Sequence, residues 1–261
     1  MKIGFVTDST SDVPANLAEQ YGIEVVPALI NINGKSYADG VGISREEFYT
    51  RLPGLKPSPT TSAPSVGSFQ ERYEKLLKAG ADSVISIHPP NELSGIFNAA
   101  RLAAQEFGPR VKVLDSGQVS LGLGFQVVLA AEAAAKGAIQ NEVLALVDSI
   151  RKRVRVTALL DTIEYVRRSG RVSWAVAMIG SLLRLQPLLE LRYGIVHRLG
   201  QARTRLQILK CVGGGFPGIS RDEHAVLPCW YLAFEPFIAG KGMVQDPFAL
   251  GIHDKFGAET Q

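Results

Sequence analysis

The first half of the chain predicts an α/β domain on a mainly parallel sheet, and the second half a smaller domain beginning near residue 151. Two observations carry this. Short β-like apolar runs alternate with helix-period segments up to about residue 150. Beyond it the texture changes to short strands around a tight turn and then to glycine- and proline-punctuated chain. With 261 residues, 46% of them hydrophobic, the chain is long enough for one large or two modest cores.

The strands expected in the first domain are Lys2 to Val6, Ile23 to Ile30, Ser83 to Ile87 and Val111 to Leu114. Between them, Ser44 and Glu47 form a capping box that opens a helix. The segment from Ser65 places Phe69, Tyr73, Leu76 and Leu77 on one helical face and stops at Gly80, a left-handed cap. A further helix begins near Asn141 and ends in basic residues, as the helix dipole favours. In the second domain, Val154 to Leu160 reads as a strand, the run from Asp161 as a helix closed by Gly170, and Leu188 to Gly200 as two strands around Tyr193-Gly194. From Cys211 to Gln261 no sustained period remains.

Composition excludes several classes. Lys and Arg number 28 against 25 Asp and Glu, a net charge of +3, and without a long basic block no nucleic acid partner is expected. Two cysteines, Cys211 and Cys229, have neither metal-ligand nor disulfide-framework spacing, so no metal site is expected and reduced thiols in a cytoplasm are. The apolar start ends at Asp8, too short for a signal peptide, and the run from Val119 is broken by Gln126 and Glu132 before it could span a bilayer.

Open α/β sheets place ligands at the carboxyl ends of their strands. Three hydroxyl-rich segments fall at such ends: Thr7 to Asp12, Pro57 to Ser65, and Asn91 to Gly95. Hydroxyls and free amides at helix starts suit a carboxylate or phosphate, and the same residue types also serve as plain helix caps. Asp8, Ser9 and Thr10 are expected to organise the first loop, and His88, alone after its strand, to be structural.

The fragments VTDSTSD, YADGVGISREEFY, PTTSAPSVGSFQERY, LSGIFNAARLAA, VKVLDSGQVSLGLGFQV, DTIEYVRRSGRVS and LLRLQPLLELRYGIVHRLGQARTR together resemble the DegV family, in the family's order and over residues 2 to about 210. The resemblance implies a two-domain fold: an N-terminal three-layer α/β/α domain over residues 1–150 and a C-terminal α/β domain with a mixed sheet over 151–261, atypical from 211. It implies a protein that binds one long-chain fatty acid between the domains. It further implies a fatty acid kinase partner, whose ATP-binding subunit phosphorylates the presented carboxylate, and transient membrane contact to collect the ligand. No cofactor is expected, and catalysis is expected on the partner. The alternative is a carrier or sensor of another apolar carboxylate without kinase coupling.

Residue by residue, the family's carboxylate site maps to Thr61, Ser62, Ser94 and Gly95. Arg171 and Arg203 match arginines linked to the phosphorylated headgroup or to docking the kinase subunit. His253 keeps part of the spacing of a C-terminal histidine that touches the carboxylate, with Gly251, Gly257 and Ala258 retained and Lys255 and Phe256 departing. The expected wall of the acyl slot is Phe97, Ile163, Ile179, Leu182 and Leu183. Where relatives carry further serines before Leu-Ser-Gly and a threonine after it, this chain has His88 to Glu92 and Ile96.

Enzyme classes fit poorly. A haloacid dehalogenase needs a second aspartate two residues after the nucleophile, where Thr10 stands. Ser94 lacks the Gly-x-Ser-x-Gly elbow of a hydrolase, and the turn after the first strand lacks a Rossmann glycine motif.

Overall fold

The computed structural model describes residues 2–160, 162–177, 186–202 and 231–233. Its first unit is built on a parallel sheet of β1 (Ile3–Asp8), β2 (Ile23–Val26), β6 (Ser83–His88) and β7 (Val111–Asp115), in the order β2-β1-β6-β7. These strands are buried on both faces, which is why they read as continuous apolar runs. Alternation still decides the layers. Phe5, Ile85 and Ile87 face α1 (Ala15–Gln20), α5 (Leu121–Ala135) and α6 (Gln140–Arg153). Val6 and Val84, one residue out of phase, face α3 (Val66–Lys78) and α4 (Ile96–Ala104). The three layers follow from that period of two.

The run Ile23 to Ile30, expected as one strand, is two. Pro27 supplies no N–H for the ladder, and the chain leaves the parallel sheet at Val26. It resumes as β3 (Leu29–Ile32), which pairs antiparallel with β4 (Lys35–Ala38) on one side and β5 (Thr60–Ser62) on the other. Ser9 Oγ accepts from the Ala28 amide at 3.0 Å and so holds the crossing point. This small sheet presents β5 at the carboxyl end of the parallel one. Of the expected capping box at α2 (Arg45–Arg51), Ser44 Oγ accepts from Glu47 N, whereas the Glu47 carboxylate pairs with Arg51 instead of returning to the Ser44 amide. Gly80 and Gly170 have positive φ after their helices, as expected.

Beyond α6 the second sheet runs β10-β9-β8-β11, from β8 (Val156–Leu159), β9 (Gln186–Arg192), β10 (Ile195–Ala202) and β11 (Tyr231–Ala233). It is mixed, with β11 parallel to β8 and the other pairs antiparallel. Two short helices, α7 (Glu164–Ser169) and α8 (Ser173–Ala177), lie between β8 and β9. Buried Gln118 joins the units, its Nε2 donating to the carbonyls of Val154 at 3.0 Å and Leu191 at 3.1 Å. Among the described residues, no helix is long and apolar enough to cross a membrane.

The start of α5 packs directly on the first loop, because a Cβ at Gly124 would lie 2.3 Å from the Ser11 carbonyl oxygen. Backbone cannot yield there as a side chain would. Gly124→Ala is therefore expected to lower stability by about 1–3 kcal/mol in urea unfolding.

Candidate headgroup site

Two arms meet beside the carboxyl ends of β1 and β6. The first is β5 and the turn into α3: Thr61 pairs with Ile30, and Ser65 Oγ caps α3 by accepting from Ser68 N at 3.1 Å. The second is the loop after β6, where Pro89 and Pro90 end the strand and a turn follows, the Leu93 and Ser94 amides both donating to the Pro90 carbonyl. It delivers Ser94 and Gly95 to the start of α4. The arms are close, since a Cβ at Gly95 would lie 3.8 Å from that of Ala63.

The three hydroxyls share a hydrogen-bonding state. Thr61 Oγ1 accepts from Arg171 Nη2 at 3.1 Å. Ser62 Oγ accepts from Asn31 Nδ2 at 3.3 Å, and Asn31 is itself fixed by Ser36 Oγ donating to its Oδ1 at 2.6 Å. Ser94 Oγ accepts from the Ile96 amide at 3.3 Å. Each oxygen receives a donor, and none of the three donates to an acceptor among the described residues. Three O–H groups thus remain available to a ligand acceptor. The amides of Phe97 and Asn98 in the first turn of α4 add to them, because the helix ladder begins with Ala99 N donating to Gly95 O.

Arg171 completes the arrangement from the second unit. Its Nε donates to the Leu93 carbonyl at 3.0 Å, its Nη1 to the Ser169 carbonyl at 3.1 Å, and its Nη2 to Thr61. One guanidinium therefore spans both arms. All three acceptors are neutral, and no carboxylate among the described residues lies within ion-pair distance of it. Neighbouring Arg168 differs, being paired with Glu164 and donating to Ser58 Oγ at 2.5 Å. Gly95 has no conformational need to be glycine, with φ −69° and ψ −4°, and among the described residues the space where its side chain would go is met by no atom closer than the ordinary contact with Ala63. The remaining reason for glycine is room for something else.

The structure thus joins Thr61 to the loop of Ser94 and Gly95 through Arg171, with Ser62 next to Thr61 on β5 but its side chain on the opposite, Asn31 face. Arg203 and His253 lie outside the described residues, as do Ile179, Leu182 and Leu183. Phe97 and Ile163 are half-buried. Asp8 organises the first loop as expected, its Oδ1 accepting from the amide and hydroxyl of Thr10. At the edge of that loop, burial works against the charge on Arg45, but Asp12 and Asp39 outweigh it and raise its pKa. His88 is fully buried between Asp8 and Ser86. The sequence reading missed Asn31 and the small sheet that holds Ser62; its pairing joins segments about thirty residues apart, and no local period marks it.

The sequence model of the DegV family, described as uncharacterised proteins, matches residues 2–215. The chain belongs to the DegV family. A DegV domain-containing protein of Deinococcus radiodurans is 37% identical over 209 residues, covering 80% of this chain and 74% of the relative. One from Caldanaerobacter subterraneus is 38% identical over 212 residues, covering 81% and 75%. Among solved structures, a DegV family protein from Thermus thermophilus, reported for its fatty acid binding, is 37% identical with a TM-score of 0.77, covering 83% of this chain and 77% of that one. DegV from Bacillus subtilis, a fatty acid binding protein, is 30% identical with a TM-score of 0.72, covering 82% and 76%. These neighbours share the two-domain DegV fold.

Because neither backbone nor packing requires the glycine, Gly95→Ala in this DegV protein is expected to change folding stability by less than about 1 kcal/mol in urea unfolding. A larger loss would mean that the glycine serves the fold itself.

Proposed function

We propose that this protein binds a long-chain fatty acid, with the carboxylate held between β5 and the start of α4 and the tail in apolar space shared with the second unit. The observation that carries the reading is the Arg171 guanidinium, which among the described residues faces only neutral acceptors, with the Thr61 hydroxyl on it and the Ser94 loop bound through the Leu93 carbonyl. A cation with no counter-charge among the described residues, seated on a hydroxyl that keeps its hydrogen, is complementary to an anion, and charge-assisted bonds there are about twice as strong as neutral ones. The fatty acid binding reported for the Thermus thermophilus and Bacillus subtilis relatives gives that anion an apolar tail.

A headgroup fixed by hydroxyls, without a metal or a buried lysine, keeps one carboxylate oxygen nucleophilic. We assign the protein as the lipid-binding subunit of a fatty acid kinase, with no cofactor and no catalytic residue of its own. A separate ATP-binding subunit supplies the phosphoryl group: the carboxylate oxygen bonds to the γ-phosphorus, ADP leaves, and the acyl phosphate is carried away. Arg203 and His253 are assigned to the same headgroup on the family resemblance. Working in the cytoplasm, the protein makes transient membrane contact to collect its ligand. Its domains divide at about residue 150.

Native mass spectrometry of the purified protein, followed by denaturing extraction, is expected to show one long-chain fatty acid per chain. Arg171→Gln should weaken acid binding about tenfold or more. An empty protein that also refuses added fatty acid contradicts the reading. Binding without acyl phosphate formation, when a kinase subunit and ATP are supplied, would leave a carrier and remove the coupling.

A further inference from the structure

Beneath the headgroup lies a chain of buried polar side chains that ligand contact does not explain. Tyr73 on α3 donates from its hydroxyl to Ser86 Oγ at 2.9 Å. Ser86 Oγ lies 2.6 Å from His88 Nε2, and His88 Nδ1 lies 2.7 Å from Asp8 Oδ2. All four residues are fully buried. The rings of His88 and Phe69 pack in a T-shape with centroids 5.1 Å apart and an interplanar angle of 82°, closing the α3 side.

The order serine, histidine, aspartate is that of a hydrolase triad, but a nucleophile must be reached by substrate. Ser86 has no exposed surface, and its oxygen is enclosed by Tyr73 and His88. The chain instead closes its own accounts. With Nδ1 protonated and donating to the Asp8 carboxylate, Nε2 accepts from Ser86, whose oxygen accepts from Tyr73; every polar atom of the four has a partner. Burial pushes the Tyr73 phenol well above its ordinary range, against the pull of its bond to Ser86, so it remains a donor.

The elements it joins are those that carry the headgroup. Tyr73 belongs to the helix that follows Thr61 and Ser62, and its hydroxyl also lies 3.3 Å from the Ala100 carbonyl of α4, the helix that begins at Gly95. His88 ends the strand from which the Ser94 loop departs, and Asp8 ends β1 and holds Thr10. A single phenol oxygen therefore touches α3, β6 and α4. We infer that the Tyr73–Ser86–His88–Asp8 chain is a positioning network that sets the spacing of the two headgroup arms, and that Tyr73 and His88 act on an anionic headgroup without touching it. This rests on the carboxylate site proposed above.

Tyr73→Phe keeps the ring and removes only the hydroxyl that joins the arms. Parent and variant would be titrated with a long-chain fatty acid and with the fatty alcohol of the same chain, and the His88 ring nitrogens read by 15N NMR. The parent is expected to prefer the acid, with the Nδ1–H tautomer at His88. The variant should lose about five- to tenfold in acid affinity, with alcohol affinity unchanged and shifted His88 nitrogens. An unchanged preference for acid, an equal loss for acid and alcohol, or an Nε2–H tautomer in the parent overturns the inference. A parent that binds acid and alcohol equally overturns the headgroup reading itself, and this one with it.

Discussion

Some surface guanidiniums of this protein pair with a carboxylate, as Arg45, Arg51 and Arg168 do. Arg171 is given instead the Leu93 carbonyl, the Ser169 carbonyl and the Thr61 hydroxyl, and with these contacts it ties the second unit to both arms of the first. The donor it sends into Thr61 Oγ1 orients that hydroxyl, leaving its hydrogen to point away toward an acceptor. The same device recurs at Ser62, through Asn31, and at Ser94, through the Ile96 amide. Three hydroxyls are thereby turned into donors by groups that ask nothing of the ligand. Donors of that kind favour an ionised acceptor such as a carboxylate over a neutral alcohol oxygen.

The fold serves this constraint by delivering two helix starts to one place. Alternation along β1 and β6 sorts apolar residues between the layer of α3 and α4 and the layer of α1, α5 and α6. Only the former pair begins at the proposed headgroup site. Their packing on Val6 and Val84 fixes the bodies of the helices, and the polar chain through Tyr73, Ser86 and His88 fixes their relative position with a directionality that apolar contact lacks. The second unit is held by Gln118 and by the turn at Gly194, whose amide donates to the Gly117 carbonyl at 2.9 Å and which packs on Pro90, beside the loop that carries Ser94.

Much of this was legible in the sequence where the cause is local. The caps at Ser44, Gly80 and Gly170 and the turn at Tyr193-Gly194 are set by a few adjacent residues, and each is where the sequence places it. The apolar face of α3 was equally visible, with Phe69 and Tyr73 fully buried. The break at Pro27 was readable in principle, since proline denies the ladder a donor, yet continuous apolar character around it masked the change of sheet. The candidate site was assembled from the family's Thr-Ser, Leu-Ser-Gly and Gly-Arg elements. What no local pattern could give was pairing at a distance: Asp8 with His88, Asn31 with Ser62, and Arg171 with Thr61 join segments 80, 31 and 110 residues apart.

The most direct measurement is a crystal structure of the protein with a long-chain fatty acid bound. The account predicts a carboxylate within hydrogen-bond distance of Thr61 Oγ1 and Ser94 Oγ, beside Gly95, with Arg171 still seated on Thr61 and the Leu93 carbonyl. A carboxylate seated elsewhere in the molecule, with these hydroxyls facing solvent, would contradict it.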